Sequence, residues 1–333
     1  MRTETPTAPH RRPPLAAIVF VPLIAALVLA LFAWPSARME PRDLPVAVAG
    51  PPAAAQAMEQ QLAARDGAFD VKRHPDEASA RAAIEDREVY GAFVATPSGA
   101  KVLTASAASP AVAQMLTHAA SEHQARAGET SVRVQDVVSA SPAGNAVASS
   151  ILPLVLAGTL TGVLTGLLAS GGLSRAALIV IGSVLAGLAA TAIVQSWLGV
   201  VDGDWAANAA VLSLTVMAIA FVIAGLEALL GHAGAAAGAL TMILVGNPFS
   251  GAASGPEMLP RPLGDIGQLM PPGAGGNLLR STGFFDGAAA GGHVAVLATW
   301  TLAGLAALIA ASIRGRRAAG ARTPVLRTAG GTS

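Results

Sequence analysis

Residues 14–34 run without a single charge, and four or five further apolar stretches follow in the second half of the chain; this constrains the fold most. At about 1.5 Å per helical residue, such a run crosses a hydrocarbon layer of about 30 Å. The 333 residues are 53% hydrophobic and only 12% charged, against about a quarter charged in a soluble protein. The bilayer is therefore the expected solvent for much of the chain. The first run ends in Phe32, Ala33, Trp34 and Pro35, with no small-x-small cleavage pattern, so residues 14–35 read as an uncleaved anchor helix.

Between the first and second apolar runs the composition changes. Most of the acidic residues fall between Glu40 and Asp136, and the apolar remainder keeps only Asp202, Asp204, Glu227, Glu257, Asp265 and Asp286. Residues 36–147 therefore read as a water-soluble domain. Strands are expected at 44–49, 69–73, 90–95, 102–106 and 132–137, with a turn at Pro97, Ser98 and Gly99. Helices are expected from Pro51 through Arg65, from Asp76 with Ala80, Ala83 and Ile84 on one face, and from Ser109 as cap with Pro110 first. Alternating strands and helices predict a small sheet with helices packed on it. With no cysteine, this domain depends on its apolar core.

The remaining spans are expected at 151–170, 176–200, 209–230, 233–245 and 293–313, the fourth of these being short. Six crossings place Arg2, Arg11 and Arg12, Arg175, and Arg314, Arg316, Arg317, Arg322 and Arg327 on one side, which the positive-inside rule assigns to the cytoplasm. That layout gives cytoplasmic tails at 1–13 and 314–333, an extracytoplasmic α/β domain and a membrane domain at 148–313. The Asp202–Asp204 joint and the loop at 247–292 then face outward, and Trp34, Trp197 and Trp205 lie at the outer interface.

Gly158, Gly162 and Gly166 place a small residue at every fourth position of one helix face, a groove suited to close helix packing in lipid. Glu227 lies about one turn before an expected cytoplasmic helix end, where a carboxylate faces a polar cavity or a partner, or stays hydrated near the interface with His232 or a tail arginine nearby. Gln195 is a weaker polar position at the outer boundary. His118 and His123 stand five apart, off one helix face, so no metal is expected. No phosphate-binding loop, nucleophile elbow or HExxH motif occurs, so neither enzyme activity nor a cofactor is expected, and a net charge of +1 argues against nucleic acid. Residues 247–287 carry prolines at 248, 256, 260, 262, 271 and 272 and read as short helices, near 263–270 and 278–285, at or dipping into the outer interface.

One anchor, an outer α/β domain, five further spans and a Pro-rich outer loop resemble the layout of the ABC-2 membrane-protein superfamily, particularly its YhgE/Pip-like branch. Gly225 through Gly231, reading GLEALLG, then Asn247, Pro248, Ser250 and Gly251, with Glu257, Leu259, Pro260, Pro271, Pro272 and Arg280, carry the resemblance. The stretches 86–94 and 106–114 are a looser likeness. The resemblance implies a permease-like subunit, often a homodimer driven by a separate ATPase, exporting lipids, drugs or glycan precursors. It also marks Pro260, Pro271, Pro272 and Arg280, beside Glu227, as transport or packing positions. The other reading of the same layout is a membrane-anchored scaffold or receptor with an extracytoplasmic binding domain and no transport.

Overall fold

The computed structural model describes residues 15–97, 99–127, 132–140, 146–169 and 171–321. Arg2, Arg11, Arg12, Arg322 and Arg327 of the two tails, and Ser98 of the expected turn, lie outside them. Helix α1 (Leu15–Ala37) buries only 6% of its apolar stretch against the rest of the chain, and Phe20, Leu23, Ile24 and Leu27 are exposed. Apolar exposure on every side of a helix suits lipid.

The α/β domain follows as β1 (Leu44–Ala49), α2 (Pro52–Ala63), β2 (Phe69–His74), α3 (Glu77–Glu85), β3 (Gly91–Thr96), β4 (Gly99–Thr104), α4 (Pro110–Ala127) and β5 (Arg133–Asp136). The sheet order is β2-β1-β3-β4-β5, parallel except for the antiparallel β3–β4 pair. Side chains alternate across it. Leu44, Val46 and Val102 meet Val112 and Leu116 of α4 on one face, where Leu62 of α2 also packs. Ala47, Ala49, Ala92 and Leu103 meet Ala80, Ala83 and Ile84 of α3 on the other. The caps are those read from the sequence: Asp76 accepts from the Ser79 amide at 2.8 Å, and the Ser109 hydroxyl accepts from the Val112 amide at 3.2 Å. Strand β4 begins earlier than expected because its antiparallel register runs out to Thr96 opposite Gly99.

The apolar half contains α5 (Val147–Leu168), α6 (Gly172–Thr191, continued by a π-helical turn Ala192–Trp197), α7 (Trp205–Leu230) and α8 (His232–Thr241, continued by a π-helical turn Met242–Gly246). Then come α9 (Leu263–Gln268), α10 (Pro271–Phe284) and α11 (Ala290–Ala321). Helix α7 is central and 78% buried. Its neighbours approach through small residues. A Cβ on Gly158 or Gly162 of α5 would fall within 3.0 Å of α7 atoms, one on Gly187 of α6 within 2.1 Å of Ser213, and one on Gly304 of α11 within 2.4 Å of Phe221. Lipid gives helices no hydrophobic reason to associate, so close contact must hold them together.

Among the described residues five helices, α1, α5, α6, α7 and α11, are long and apolar enough to cross a membrane. The fold is thus that of a helical, membrane-embedded protein with a small α/β sheet region. Helix α8 with its π-turn has 10 and 5 residues, about 22 Å at 1.5 Å each, and is classed apart as a shorter apolar helix.

Between α8 and α11 the chain turns back into the bundle. The Trp300 indole donates to the Leu269 carbonyl at 2.7 Å, Met270 packs with Ile151, Ile219 and Met242, and Gly275 sits against Thr215. Trp300 and Thr215 each lie ten residues inside their helices, about 15 Å from the end facing the α/β domain. The tip of the α9–α10 hairpin therefore reaches roughly halfway along α7. Sequence reading put the second short helix at 278–285; it starts instead at Pro271, because proline needs no amide partner in a first helical turn.

Candidate functional site

The C-terminal end of α10 carries the junction between the two parts. Arg87, in the turn after α3, donates to the Asn277 carbonyl at 2.8 Å, the Ser281 hydroxyl at 2.6 Å and the Asn277 side-chain oxygen at 3.0 Å. Its guanidinium also lies 5.2 Å from the centre of the Phe285 ring, within cation–π range. Arg280 works in the opposite direction. From α10 it donates to the Ala107 carbonyl of the α/β domain at 2.7 Å and to the Ala252 carbonyl at 2.5 Å. Tyr90 donates to Glu257 at 2.7 Å, and Ser109 to the Ser254 carbonyl at 2.8 Å.

Among the described residues neither arginine forms an ion pair with a carboxylate. Burial, reinforced by Arg87, depresses the Arg280 pKa to about 10. Burial lowers that of Arg87 as well, with Tyr90 and Glu257 opposing. Burial first, then the Glu257 charge, pushes the Tyr90 hydroxyl well above its usual value, so it stays a neutral donor. A cavity of about 230 Å³ lies in this junction, lined by Arg87, Tyr90, Glu257, Gln268, Asn277 and His293. At about 30 Å³ per water, it holds several. From it a polar chain descends: Asn277 donates to Gln268 at 2.6 Å, and Gln268 to the Ser250 carbonyl at 2.7 Å.

A second polar centre lies at the far end of the bundle. Arg175 of α6 pairs with Glu227 of α7, their side chains 10% and 12% exposed, and also donates to the Gly162 carbonyl at 3.2 Å. Gly166 makes room, since a Cβ there would lie 2.7 Å from the carboxylate and 2.8 Å from the guanidinium. The sequence reading treats Arg175 as an interfacial charge and offers Glu227 either His232 or a tail arginine. The structure pairs the two residues instead, because α6 and α7 cross where both side chains point inward. A cavity of about 390 Å³ beside the pair is lined by Gly172, Arg175, Ser312 and Arg316.

The residues singled out from the sequence therefore divide among three places. Gly158 and Gly162 lie in the α5–α7 contact; Gly166 and Glu227 lie at the Arg175 ion pair. Pro271 and Pro272 are buried at the hairpin tip, Pro272 against Gly246, and Arg280 is at the junction with the α/β domain. Pro260 is buried, its carbonyl accepting from the Leu263 amide at 2.8 Å. Gln195 does make a contact, accepting from Asn208 at 3.0 Å while donating to the Gly203 carbonyl at 2.9 Å. Sequence reasoning missed Arg87, Tyr90, Asn277 and Arg175. A buried-charge search had one signal to follow: Arg175 and Glu227 are the charges bordering otherwise uncharged spans.

Among the described residues no three His, Cys, Asp or Glu side chains come together as metal ligands. No family model, curated protein or solved structure matches the chain.

Proposed function

We propose that the chain is an ABC-2-like permease subunit that exports a hydrophobic or amphiphilic substrate across the cytoplasmic membrane with a separate ATPase. The observation that supports this is the clamp of Arg87 and Arg280, which ties the α/β domain to a hairpin reaching the middle of the bundle. A domain displayed only for binding needs no more than an anchor, and α1 supplies one. A gate must move with the transmembrane helices. Buried charges cost several kcal/mol to desolvate, and here they are spent on that connection. In this reading six crossings place both termini in the cytosol and the α/β domain outside, α8 completes the sixth, and two copies form the pathway. No catalysis, cofactor or nucleic-acid partner is involved.

The second reading, a membrane-anchored scaffold or receptor, is favoured by an apolar cleft in the α/β domain described below. Purification from membranes in mild detergent distinguishes them. The permease reading expects a nucleotide-hydrolysing subunit to copurify and its hydrolysis to rise with this chain in vesicles. A chain that purifies without one, and whose vesicles show no nucleotide-dependent movement of a fluorescent lipid, excludes it.

A further inference from the structure

We infer that the α/β domain binds a single-chain amphiphile with an anionic head, such as a fatty carboxylate, in a cleft between α2 and α4. The two helices cover one face of the sheet. Between them lies a cavity of about 170 Å³, with Phe93 of β3 and Val102 of β4 among its lining and Met58 of α2 and Met115 of α4 on its sides. Facing methionines make an adaptable wall for a flexible chain. The volume falls below the roughly 300 Å³ at which pockets for drug-sized ligands begin, so it takes one slender chain rather than a ring system.

The distribution of apolar surface separates a small ligand from a protein partner. A protein interface needs a broad exposed apolar area. Among the described residues of this domain the large hydrophobics that are exposed are Met39 and Val134, and neither lines the cleft. The apolar surface is inside the cavity, and its margin is polar. Among the described residues Arg65 is the one charged residue lining the cleft, and it has no ion-pair partner there. An unpaired cation at the mouth of an apolar slot complements a carboxylate or phosphate head on an alkyl tail.

The inference stands whether or not the bundle transports, since it concerns binding alone. The experiment uses the full chain in lipid nanodiscs and a diazirine-bearing twelve-carbon fatty acid, with the matching alcohol as its neutral counterpart. Peptide mapping is expected to find the acid on segments containing Met58 and Met115, displaced by unlabelled dodecanoate. Ala119→Trp and, from the opposite wall, Met58→Trp fill the cavity and reduce that labelling at least tenfold, with the domain's protease-resistant core retained. Arg65→Gln weakens labelling by the acid about tenfold and leaves the alcohol unchanged. Labelling confined to the transmembrane helices, or unaltered by both tryptophans, overturns the site. Equal labelling by acid and alcohol, unaffected by Arg65→Gln, overturns the anionic head.

Discussion

Arg280 shows how two opposing effects of similar size leave a residue important to geometry and nearly neutral for stability. Each hydrogen bond to a charged group contributes about 1.5–3 kcal/mol, while a guanidinium pKa depressed by burial to about 10 implies a burial cost of roughly 3 kcal/mol. Arg280→Met is therefore expected to shift the thermal midpoint little. Hydrogen exchange across 277–284 should nevertheless accelerate, because the α/β domain then holds α10 through Arg87 without Arg280; a collapsed midpoint with unchanged exchange would contradict this. Glu227 behaves differently. Glu227→Ala leaves Arg175 buried and unpaired, a loss of about 3–5 kcal/mol, and is expected to lower the amount of protein in the membrane. Arg175→Met with Glu227→Met restores a neutral interior and should recover that amount, measured by quantitative blotting. Tyr90 is the chain's one tyrosine, so ultraviolet absorbance reads its titration directly. Its folded pKa lies above the free value of 10, so its stabilising contribution is complete below pH 10 and is lost as pH rises beyond. Arg280, depressed to about 10, has the opposite sign over the same range, its burial cost easing as pH rises beyond about 10. The expected tyrosinate midpoint in the folded chain is well above 10; a midpoint near 10 would mean an open, hydrated junction.

At the scale of elements, α7 depends on neighbours that come close to it through glycines. Gly162→Leu would drive a Cβ to 2.8 Å from the Ala220 carbonyl and should separate α5 from α7 at a cost of about 1–3 kcal/mol, seen as a lower unfolding temperature in detergent. Gly315→Ala meets nothing within 4 Å and serves as the control that should not change. The same elements mark what could be read in advance. Each strand of the sheet shows itself through local alternation, and Asp76 and Ser109 announce their helices because a cap is a short-range device. The glycine face of α5 was visible as a spacing. Its partner was not, since nothing in 158–166 says which helix lies opposite. The clamp was hidden for a related reason: Arg87 meets Asn277 across 190 positions, and no pattern along the chain encodes so distant a meeting. The proline pair at 271 was read as a break, whereas the fold uses it as a beginning.

For the whole molecule, the α/β domain, the 198–204 joint and the C-terminal end of α10 gather at one end of the bundle, where Gly203 meets Thr282 and Gly283 meets Val201; the Arg175–Glu227 pair lies at the other. In sealed, right-side-out cells an added protease is expected to cut the α/β domain and spare tags on both termini. Cleavage of either tag would require a different number of crossings. The way the hairpin is fastened also has a mechanical meaning. Gly267 lies against Phe249 and Gly273 against Gly267, so closely that no side chain could intervene to cushion movement between them. A pull on the α/β domain is therefore expected to travel along a stiff rod and to be delivered halfway along α7, beside Met242 and Ile219.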